Sequence, residues 1–415
     1  MSMSGSLGET FRSLSSRSLR RYLAAQQLSM VGTWLQATAA AWIVLTLSGS
    51  PLDVGISTAL QFGPILVIGP YAGSLADRWP RRSIMLVTQA AAAADVGALA
   101  ALTALHDLHV AEVWVLVFFF GLLDAFDSPA RQSLLSDLAG PDAITNATAL
   151  SDMTGTLARM AGPTIGAALI AWRGPAACFA ADAVTYVIVV AVLVSLHLPR
   201  RGPAARPPGS GTARQGLRYA WREREIAAIL CLIFLTGIFG FNNQVLFSAI
   251  ARIDLHSVLW FGLLNSIFAV GALAGSLTVA RAASASASAD ARWPATAAAL
   301  LGLLLSLAGL VKILPLLVAG VAGIGYAGAV LLSASAGRIQ TLTREDMRGR
   351  MMALFSAGFL GTAVIGGPLS GWVTQHSVWL GLVVMGLGCI GGAAVSLLLA
   401  SGWLLPRPHV TRLPG

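Results

Sequence analysis

The segment Gly73 to Arg82 reads GSLADRWPRR and separates two long apolar segments. Residues 54–76 before it and 83–105 after it are almost wholly apolar, so its charged side chains are concentrated in a loop of a few residues. A helix that crosses a bilayer needs about 20 predominantly apolar residues, and charges gather where the chain leaves the hydrocarbon. The pattern predicts two membrane-spanning helices joined by a short charged loop.

The composition indicates that the whole chain is an integral membrane protein. Hydrophobic residues make up 56% and charged residues 11% of the sequence, whereas a soluble domain contains about 25% charged residues. The apolar segments are far longer than the alternating strands of about ten residues that build membrane β-barrels. We predict twelve transmembrane helices, at residues 24–47, 54–76, 83–105, 110–128, 145–171, 175–197, 226–250, 257–280, 293–312, 314–336, 350–374 and 378–402.

The basic residues predict the orientation of these spans. Of the 27 Lys and Arg residues, 23 lie in the two tails and in the loops that follow even-numbered spans. Basic residues are retained on the cytoplasmic side of a membrane, so we expect both termini in the cytoplasm and the lipid bilayer as the surroundings. A nucleic-acid partner is not expected, because its binding site would need the arginines clustered on one folded face.

The residue types that carry most enzymatic chemistry form no recognisable pattern. Cys178, Cys231 and Cys389 lie far apart within predicted spans and lack metal-ligand spacing, so we interpret them as packing residues. No pair of a nucleophile and a base stands out, and no phosphate-binding loop sequence is present. The sequence therefore predicts no cofactor, no metal site and no enzymatic activity.

The chain is organised as two halves of six spans. Residues 199–225 are rich in Pro, Gly and Arg, and GPTIG at residues 162–166 of span five matches GPLSG at residues 367–371 of span eleven. Duplicated six-helix halves are typical of a large class of secondary transporters. The predicted parts are a tail at 1–22, a first bundle at 23–198, a linker at 199–225, a second bundle at 226–403 and a tail at 404–415.

The chain resembles the major facilitator superfamily, and its first half is most similar to the branch of bacterial exporters that includes the enterobactin exporter. The resemblance rests on YLAAQQLSMVGTWLQ at 22–36, the loop pattern G-x-L-a-D-r-x-x-r-r at 73–82, SPARQSLLSDL at 128–138 and LARMAGPTIG at 157–166. It implies an all-α integral membrane fold with twelve transmembrane helices in two six-helix bundles. It also implies a multi-pass protein of the bacterial plasma membrane that works as a monomer.

The resemblance implies a gate at the cytoplasmic end of the first bundle. In the superfamily the loop aspartate caps the start of span eleven when the transporter faces outward, and a loop arginine pairs with an acid of span four. A carboxylate at a helix N-terminus gains about 0.3 to 1 kcal/mol, enough to bias two states. The alternative is that the charges only mark the membrane edge. The corresponding residues are Gly73, Asp77, Arg78, Arg81, Arg82 and Asp127.

Proline and small residues in spans five and eleven form a second feature. Proline removes a helix hydrogen bond, and small residues at intervals of four let two helices approach closely. The resemblance implies pliable helices at the interface between the halves, of the type associated with antiporters, and ordinary helix packing is the alternative. The interface residues are Ala158, Gly162, Pro163, Gly166, Gly367, Pro368 and Gly371.

Ionisable residues within the spans all belong to the first half. A charge in the membrane needs a partner, a water-filled cavity or a neutralising proton. Asp95 and Arg159 lie at the same predicted depth, which suggests an ion pair, and Asp182 is either a second partner of Arg159 or a proton carrier. The alternative is that these charges hold the first bundle together. The candidates for ion coupling are Asp95, Asp152, Arg159 and Asp182.

Uncharged polar and aromatic residues are the candidates for substrate contacts. In the superfamily, spans one, four, seven and ten line a central cavity, and such residues suit an amphipathic organic molecule. Span one lacks the acid found there in many proton-coupled drug exporters, which argues against proton coupling. The cavity candidates are Trp34, Gln36, Asn242, Asn243, Gln244 and Tyr326.

The sequence thus predicts a secondary active transporter that exports small organic molecules of the drug or siderophore class, by proton antiport with alternating access. An importer or facilitator of a neutral solute is the alternative among transporters, and a transporter-like membrane sensor is the alternative from another class.

Residues 214–225, with Leu217, Tyr219 and Trp221 among arginines, predict either a helix on the cytoplasmic membrane surface or a plain linker.

Overall fold

The computed structural model describes residues 16–76, 79–140, 143–196, 213–284, 293–311 and 313–401. All regular structure in these residues is helical. The predicted N-terminal tail up to residue 15, residues 199–212 of the linker and the C-terminal tail lie outside the described residues, as do Asp77 and Arg78 of the predicted gate.

Six long helices form the first half of the described chain. They are α1 (Arg17–Ser48), α2 (Pro51–Ala76), α3 (Arg81–Ala104), α4 (Val110–Ala139), α5 (Ile144–Arg173) and α6 (Pro175–Ser195). A short helix, α7 (Ala213–Arg222), then precedes the second half.

The second half contains six further helical segments of membrane-spanning length. They are α8 (Arg224–Gly240), continued by α9 (Asn243–Ala249) and a π-helical turn (Ile250–Asp254), then α10 (Val258–Ser284), α11 (Trp293–Leu310), α12 (Leu314–Leu342), α13 (Arg348–Thr374) and α14 (Val378–Ser401). A 3-10 turn, Glu345–Met347, precedes α13. Ten of the described helical segments are apolar enough to cross a membrane. With α4 and α5, each 30 residues long, they make the twelve predicted spans.

The chain divides into two compact units. One unit comprises residues 1–206 and 243–266, and the other comprises residues 207–242 and 267–415. The end of span seven and the start of span eight therefore pack with the first six helices. We call these units 1 and 2.

The first bundle has a tightly packed core at the end that carries the N-terminus. Leu19, Tyr22 and Leu23 of α1 are buried there with Met85 of α3 and Leu134 of α4. This packing explains why α1 begins seven residues before the predicted span, within a basic segment. The Leu19 N–H donates to the Ser16 side chain at the start of α1, and Gly49 ends the helix in the left-handed conformation with φ 69°.

Helix α4 extends well beyond the predicted span at residues 110–128. It continues through Pro129 to Ala139, although the sequence there is polar. Ala130, Leu134 and Leu135 of the extension are buried in the core of the first bundle. Tertiary packing therefore maintains the helix where the apolar pattern has ended.

Span seven is broken, in contrast to the continuous helix predicted at residues 226–250. Helix α8 ends at Gly240, Phe241 and Asn242 are not helical, and α9 begins at Asn243. The Asn242 side-chain amide donates to the Ile238 carbonyl at 2.6 Å. A polar side chain thereby satisfies a backbone group where the helix stops, which is how a broken helix is tolerated inside a membrane protein.

Candidate functional site

A fully buried carboxylate lies between α6 and α1. Asp182 has 0% relative exposure and faces Gly32. The hydroxyl of Thr185 lies 3.0 Å from Asp182 Oδ1 and 2.7 Å from the Asp182 carbonyl oxygen, so its one hydrogen is shared. Asp182 Oδ2 has no hydrogen-bond partner among the described residues. Burying an ionised carboxylate with one unpaired oxygen costs free energy, and a bound proton removes that cost. Asp182 is therefore a candidate for protonation.

Gly32 is what allows this acid to sit inside the bundle. A Cβ atom at position 32 would lie 2.7 Å from Thr185 Oγ1 and 3.0 Å from Asp182 Cγ. The next residue, Thr33, places its hydroxyl 3.0 Å from the Tyr186 hydroxyl. The contact between α1 and α6 therefore contains two groups of polar side chains, Asp182 with Thr185 opposite Gly32 and Thr33 with Tyr186 beside it.

Two cavity candidates of unit 1 are glutamines whose side-chain oxygens have no partner among the described residues. Gln36 lies one turn beyond Gly32 on the same face of α1 and is buried, with 3% relative exposure. Its Oε1 atom has no hydrogen-bond partner among the described residues, and the same is true of Gln244 Oε1 at the start of α9. Helix α9 packs against α1 and α2. Both oxygens are available to accept a hydrogen bond from a ligand.

The expected ion pairs of Arg159 are not formed. Arg159 is exposed, and its guanidinium carbon lies 5.3 Å from the centre of the Trp34 ring, a cation–π contact between α5 and α1. Among the described residues it makes no ion pair with Asp95 or Asp182. Asp95 and Arg159 have the same predicted depth, but the rotation of α5 turns Arg159 toward Trp34.

Asp95 and Asp152 differ from each other in their surroundings. Asp95 on α3 is half-buried, and its Oδ2 atom has no hydrogen-bond partner among the described residues. Asp152 on α5 is exposed, and its carbonyl oxygen accepts a hydrogen bond from Thr156. Of the predicted coupling residues, Asp182 is the one that the structure buries completely.

A second polar cluster surrounds Asp127 on α4. Asp127 Oδ1 accepts hydrogen bonds from Thr88 Oγ1 at 2.8 Å and from Gln89 Nε2 at 3.1 Å, both on α3. Arg131, one turn further along α4, lies 3.8 Å from Asp127 Oδ2 and 3.6 Å from Asp124 Oδ1. This cluster joins α3 to α4 beside the buried core.

Arg81 and Arg82 contact partners other than the predicted Asp127. Arg81 Nη1 lies 2.5 Å from Asp137 Oδ2 near the end of α4, and Arg82 Nη2 donates to the Val194 carbonyl of α6 at 2.8 Å. Asp127 is instead paired with Arg131. Arg81 therefore contacts α4 through an acid ten residues after Asp127, because α4 extends to Ala139. Gly73 lies in α2, three residues before its end.

The small residues of α5 pack against α1 within unit 1. Ala158, Gly162, Pro163 and Gly166 are all buried. Gly162 faces the Trp34 side chain, and a Cβ atom at Gly166 would lie 3.3 Å from Thr38 Cβ. The same helix contacts the start of α10, where the hydroxyls of Thr164 and Ser266 are hydrogen-bonded.

Helix α13 repeats this arrangement in unit 2. Gly367 and Gly371 are buried, and Pro368 lies inside the helix. Thr362 of α13 packs into the space left by Gly237 of α8, so span eleven contacts span seven as span five contacts span one. In unit 1 the predicted small residues thus pack α5 against α1, and in unit 2 helix α13 packs against α8 through Thr362 and Gly237.

The remaining cavity candidates occupy different environments. Asn242 is buried and bonded to its own helix through Ile238, and it lies beside Gly366 of α13. Asn243 and Tyr326 are half-buried. A Cβ atom at Gly275 would press on the Tyr326 carbonyl, so α10 and α12 are closely packed there.

Sequence reasoning missed several residues of these clusters. Gly32, Thr88, Gln89 and Asp137 were not singled out, although each contacts a candidate residue. Gly32 was detectable in principle, because a glycine in the middle of a span marks a close approach. Within the described residues, no cluster of three or more His, Cys, Asp or Glu side chains forms a metal site.

Comparison with known proteins gives the family. The sequence profile described as transmembrane secretion effector matches residues 9–404. The multidrug efflux pump Tap of Mycolicibacterium fortuitum is 25% identical over 370 residues, which cover 85% of this chain and 88% of Tap. The enterobactin exporter EntS of Salmonella typhi is 26% identical over 380 residues, which cover 89% of this chain and 90% of EntS.

Another relative matches over a shorter length. The uncharacterized MFS-type transporter YfiS of Bacillus subtilis is 29% identical over 219 residues, so the matched part is 50% of each chain.

A solved structure also shares the fold. A bacterial homologue of the human lysosomal transporter Spinster, inward-facing and unoccupied, superposes with a TM-score of 0.73 at 13% identity, covering 94% of this chain and 96% of that one.

These findings confirm the predicted all-α membrane fold with twelve helices, and the non-enzymatic class, since the relatives are membrane transporters. They also confirm the resemblance stated from the sequence motifs. The protein crosses the membrane many times. The chain belongs to the transmembrane secretion effector family of the major facilitator superfamily.

Proposed function

We propose that the protein is a secondary active transporter that exports small organic molecules of the drug or siderophore class across the bacterial plasma membrane, in exchange for protons. It works by alternating access, opening to one side of the membrane at a time. The relatives support the direction and the substrate class, because one is named an enterobactin exporter and another a multidrug efflux pump. Cytoplasmic termini and a monomeric state complete the proposal.

The observation that carries the proton-coupled part is the environment of Asp182. The acid is fully buried, one oxygen has no partner among the described residues, and the other accepts from the uncharged Thr185 hydroxyl on the same helix. A carboxylate without a cationic partner in a membrane bundle is most stable when it carries a proton. Release and uptake of that proton is the step that we assign to Asp182.

The substrate-binding part of the proposal rests on Gln36 and Gln244. Both belong to unit 1, and both have a side-chain oxygen without a described partner. Trp34 lies close in sequence and offers an aromatic face, which Arg159 partly covers. An amphipathic organic molecule with hydrogen-bond donors fits such a lining. Asn242, Asn243 and Tyr326 remain proposed contacts.

The gate and the interface helices remain proposals as well. Arg81, paired with Asp137, and Arg82 are proposed to keep the loop in place. Asp77 is proposed to cap the start of span eleven, and Arg78 remains a proposed partner of Asp127. Asp127 would stabilise the α3–α4 contact through Arg131, Thr88 and Gln89. Helices α5 and α13, each with a proline in its interior, are proposed to bend during transport. The bundle boundaries at 23–198 and 226–403 are part of this proposal.

Efflux from intact cells and from inverted vesicles tests the proposal. Cells that overproduce the protein are loaded with a panel of drugs, dyes and siderophores, and export is followed with and without a proton uncoupler. Uncoupler-sensitive export of any panel member supports a proton antiporter. Export that is insensitive to the uncoupler would contradict proton coupling and would favour a facilitator of a neutral solute.

A further inference from the structure

The short helix α7, between the two sets of six spans, has three distinct faces. Gly216 and Ala220 are buried, and a Cβ atom at Gly216 would lie 3.5 Å from Arg350 Cβ, so this face packs on the first turn of α13. Leu217 and Trp221 are exposed, at 48% and 61%. An exposed Leu and Trp one turn apart, beside arginines, are typical of a helix that lies on a membrane surface.

The third face of α7 lines a cavity. Gln215, Arg218, Tyr219 and Arg222 are spaced as i, i+3, i+4 and i+7 and therefore point the same way. They enclose a cavity of about 250 Å³ together with Met347 and Arg350. This cavity is smaller than the pockets of roughly 300 to 1,000 Å³ that bind drug-sized molecules. It therefore suits a small group rather than the transported substrate.

The charge of this cavity is strongly positive. Three of its six lining residues are arginines, and none is acidic. Arg218 and Arg222 make no ion pair with a carboxylate in the part of the chain that the structure describes. The nearby Glu345 is 91% exposed and pairs with Arg348 outside the lining. Several guanidinium groups around a small cavity match the geometry of a phosphate group.

The start of α13 adds to the positive potential. Its first turn contains no acidic residue, and its N-cap, Met347, provides no side-chain hydrogen bond. Met347 and Arg350 both line the cavity, so the positive end of the helix lies beside it. The Tyr219 hydroxyl accepts a hydrogen bond from the Arg344 N–H at 3.5 Å, which ties α7 to the segment before α13.

We propose that the cavity between α7 and α13 binds a phosphate group, supplied by the head group of an anionic phospholipid or by a free phosphate compound. The exposed Leu217 and Trp221 would rest in the lipid surface while Arg218, Arg222 and Arg350 hold the phosphate. Such binding would join α7 to the start of span eleven and to the membrane. It does not depend on which substrate the protein transports.

The test uses the full-length protein, purified in detergent, and native mass spectrometry. The probes are inorganic phosphate, short-chain phosphatidylglycerol and, as the zwitterionic reference, short-chain phosphatidylcholine. We expect phosphatidylglycerol to bind more tightly than phosphatidylcholine. The variants Arg218→Gln and Arg222→Gln should each weaken this binding about fivefold. Arg348→Gln removes the same charge from a residue outside the cavity and should bind as the wild type does.

The two phosphate sources are separated by the inorganic phosphate arm. If inorganic phosphate binds and Arg218→Gln weakens this binding, the site accepts phosphate compounds in general. If only phosphatidylglycerol binds, the site is specific for the lipid head group. Both results support the site. Thermal unfolding identifies a variant that fails to fold. If Arg218→Gln does not fold, Arg218→Lys replaces it, and we expect weaker phosphate binding because lysine lacks the planar guanidinium group with its paired donors. If neither inorganic phosphate nor phosphatidylglycerol binds more tightly than phosphatidylcholine, or if Arg348→Gln loses as much binding as Arg218→Gln, the proposal is overturned.

Discussion

Gly32 of α1 faces Asp182 of α6 so closely that a Cβ atom at position 32 would lie 3.0 Å from the carboxylate carbon. The acid is fully buried, and one of its oxygens has no described partner. The position of the proposed proton carrier therefore depends on the absence of a side chain at Gly32. This relationship connects helix packing with the proposed coupling step.

The first prediction concerns the variant Gly32→Ala. The new methyl group should displace Asp182 or separate α1 from α6, because overpacking a tight core costs about 1–3 kcal/mol. We expect a lower thermal unfolding midpoint in detergent and reduced uncoupler-sensitive export. Gly97→Ala on α3 is the matched control, since a Cβ atom there meets nothing within 4 Å. It should leave the midpoint unchanged or raise it. Equal behaviour of the two variants would refute the close contact.

The second prediction concerns the ion pair of Arg81 and Asp137. Both side chains are about three-quarters buried, at 24% and 29% exposure, so neutralising either one should cost about 1 kcal/mol. Arg81→Gln and Asp137→Asn should each lower the unfolding midpoint. The exchange variant Arg81→Asp with Asp137→Arg should recover part of the loss. If the exchange is as harmful as the sum of the single changes, the two residues are not coupled.

The third prediction concerns Asp127, which accepts hydrogen bonds from Thr88 and Gln89 and pairs with Arg131. Asp127→Ala removes these interactions together and should destabilise the protein by about 2 kcal/mol. The measurement is thermal unfolding of the purified protein. Asp107→Ala, in the exposed loop between α3 and α4, is the control and should have little effect. A midpoint for Asp127→Ala that matches the control would contradict a stabilising role.

The fourth prediction concerns the unpaired oxygens of Gln36 and Gln244. A buried oxygen without a partner costs about 1–3 kcal/mol, so replacement by Met, of similar shape, should maintain or raise the unfolding midpoint. If these oxygens bind substrate, Gln36→Met and Gln244→Met should raise the KM of export several-fold. A raised KM in a protein of unchanged stability separates binding from folding. An unchanged KM in both variants would remove these residues from the proposed substrate site.

The sequence predicted the fold well because membrane spans carry a strong local signal. Long apolar runs and the distribution of arginines were sufficient for twelve helices. The limits came from tertiary packing. The polar residues around Arg131 and Asp137 gave no sign that α4 continues, since their helix is maintained by Leu134 in a core built from other helices. The break at Phe241 depends likewise on the contacts of Asn242.

The candidate site was predicted in part, for a geometric reason. Counting residues along a span gives depth, and on that basis Asp95, Arg159 and Asp182 are predicted to lie within the membrane. Counting does not give the rotation of each helix, and that rotation turns Arg159 toward Trp34 and Asp182 toward Gly32. The partners of a buried charge therefore follow only from the packed structure.

The most direct test of proton coupling measures two activities of Asp182→Asn in proteoliposomes. Asparagine resembles the protonated acid but has no proton to exchange. The account predicts that substrate transport driven by a proton gradient is lost, while counterflow exchange of labelled for unlabelled substrate continues at near the wild-type rate, with Asp107→Asn normal in both assays. Proton-driven transport that persists in Asp182→Asn would contradict the assignment of Asp182 as the proton carrier.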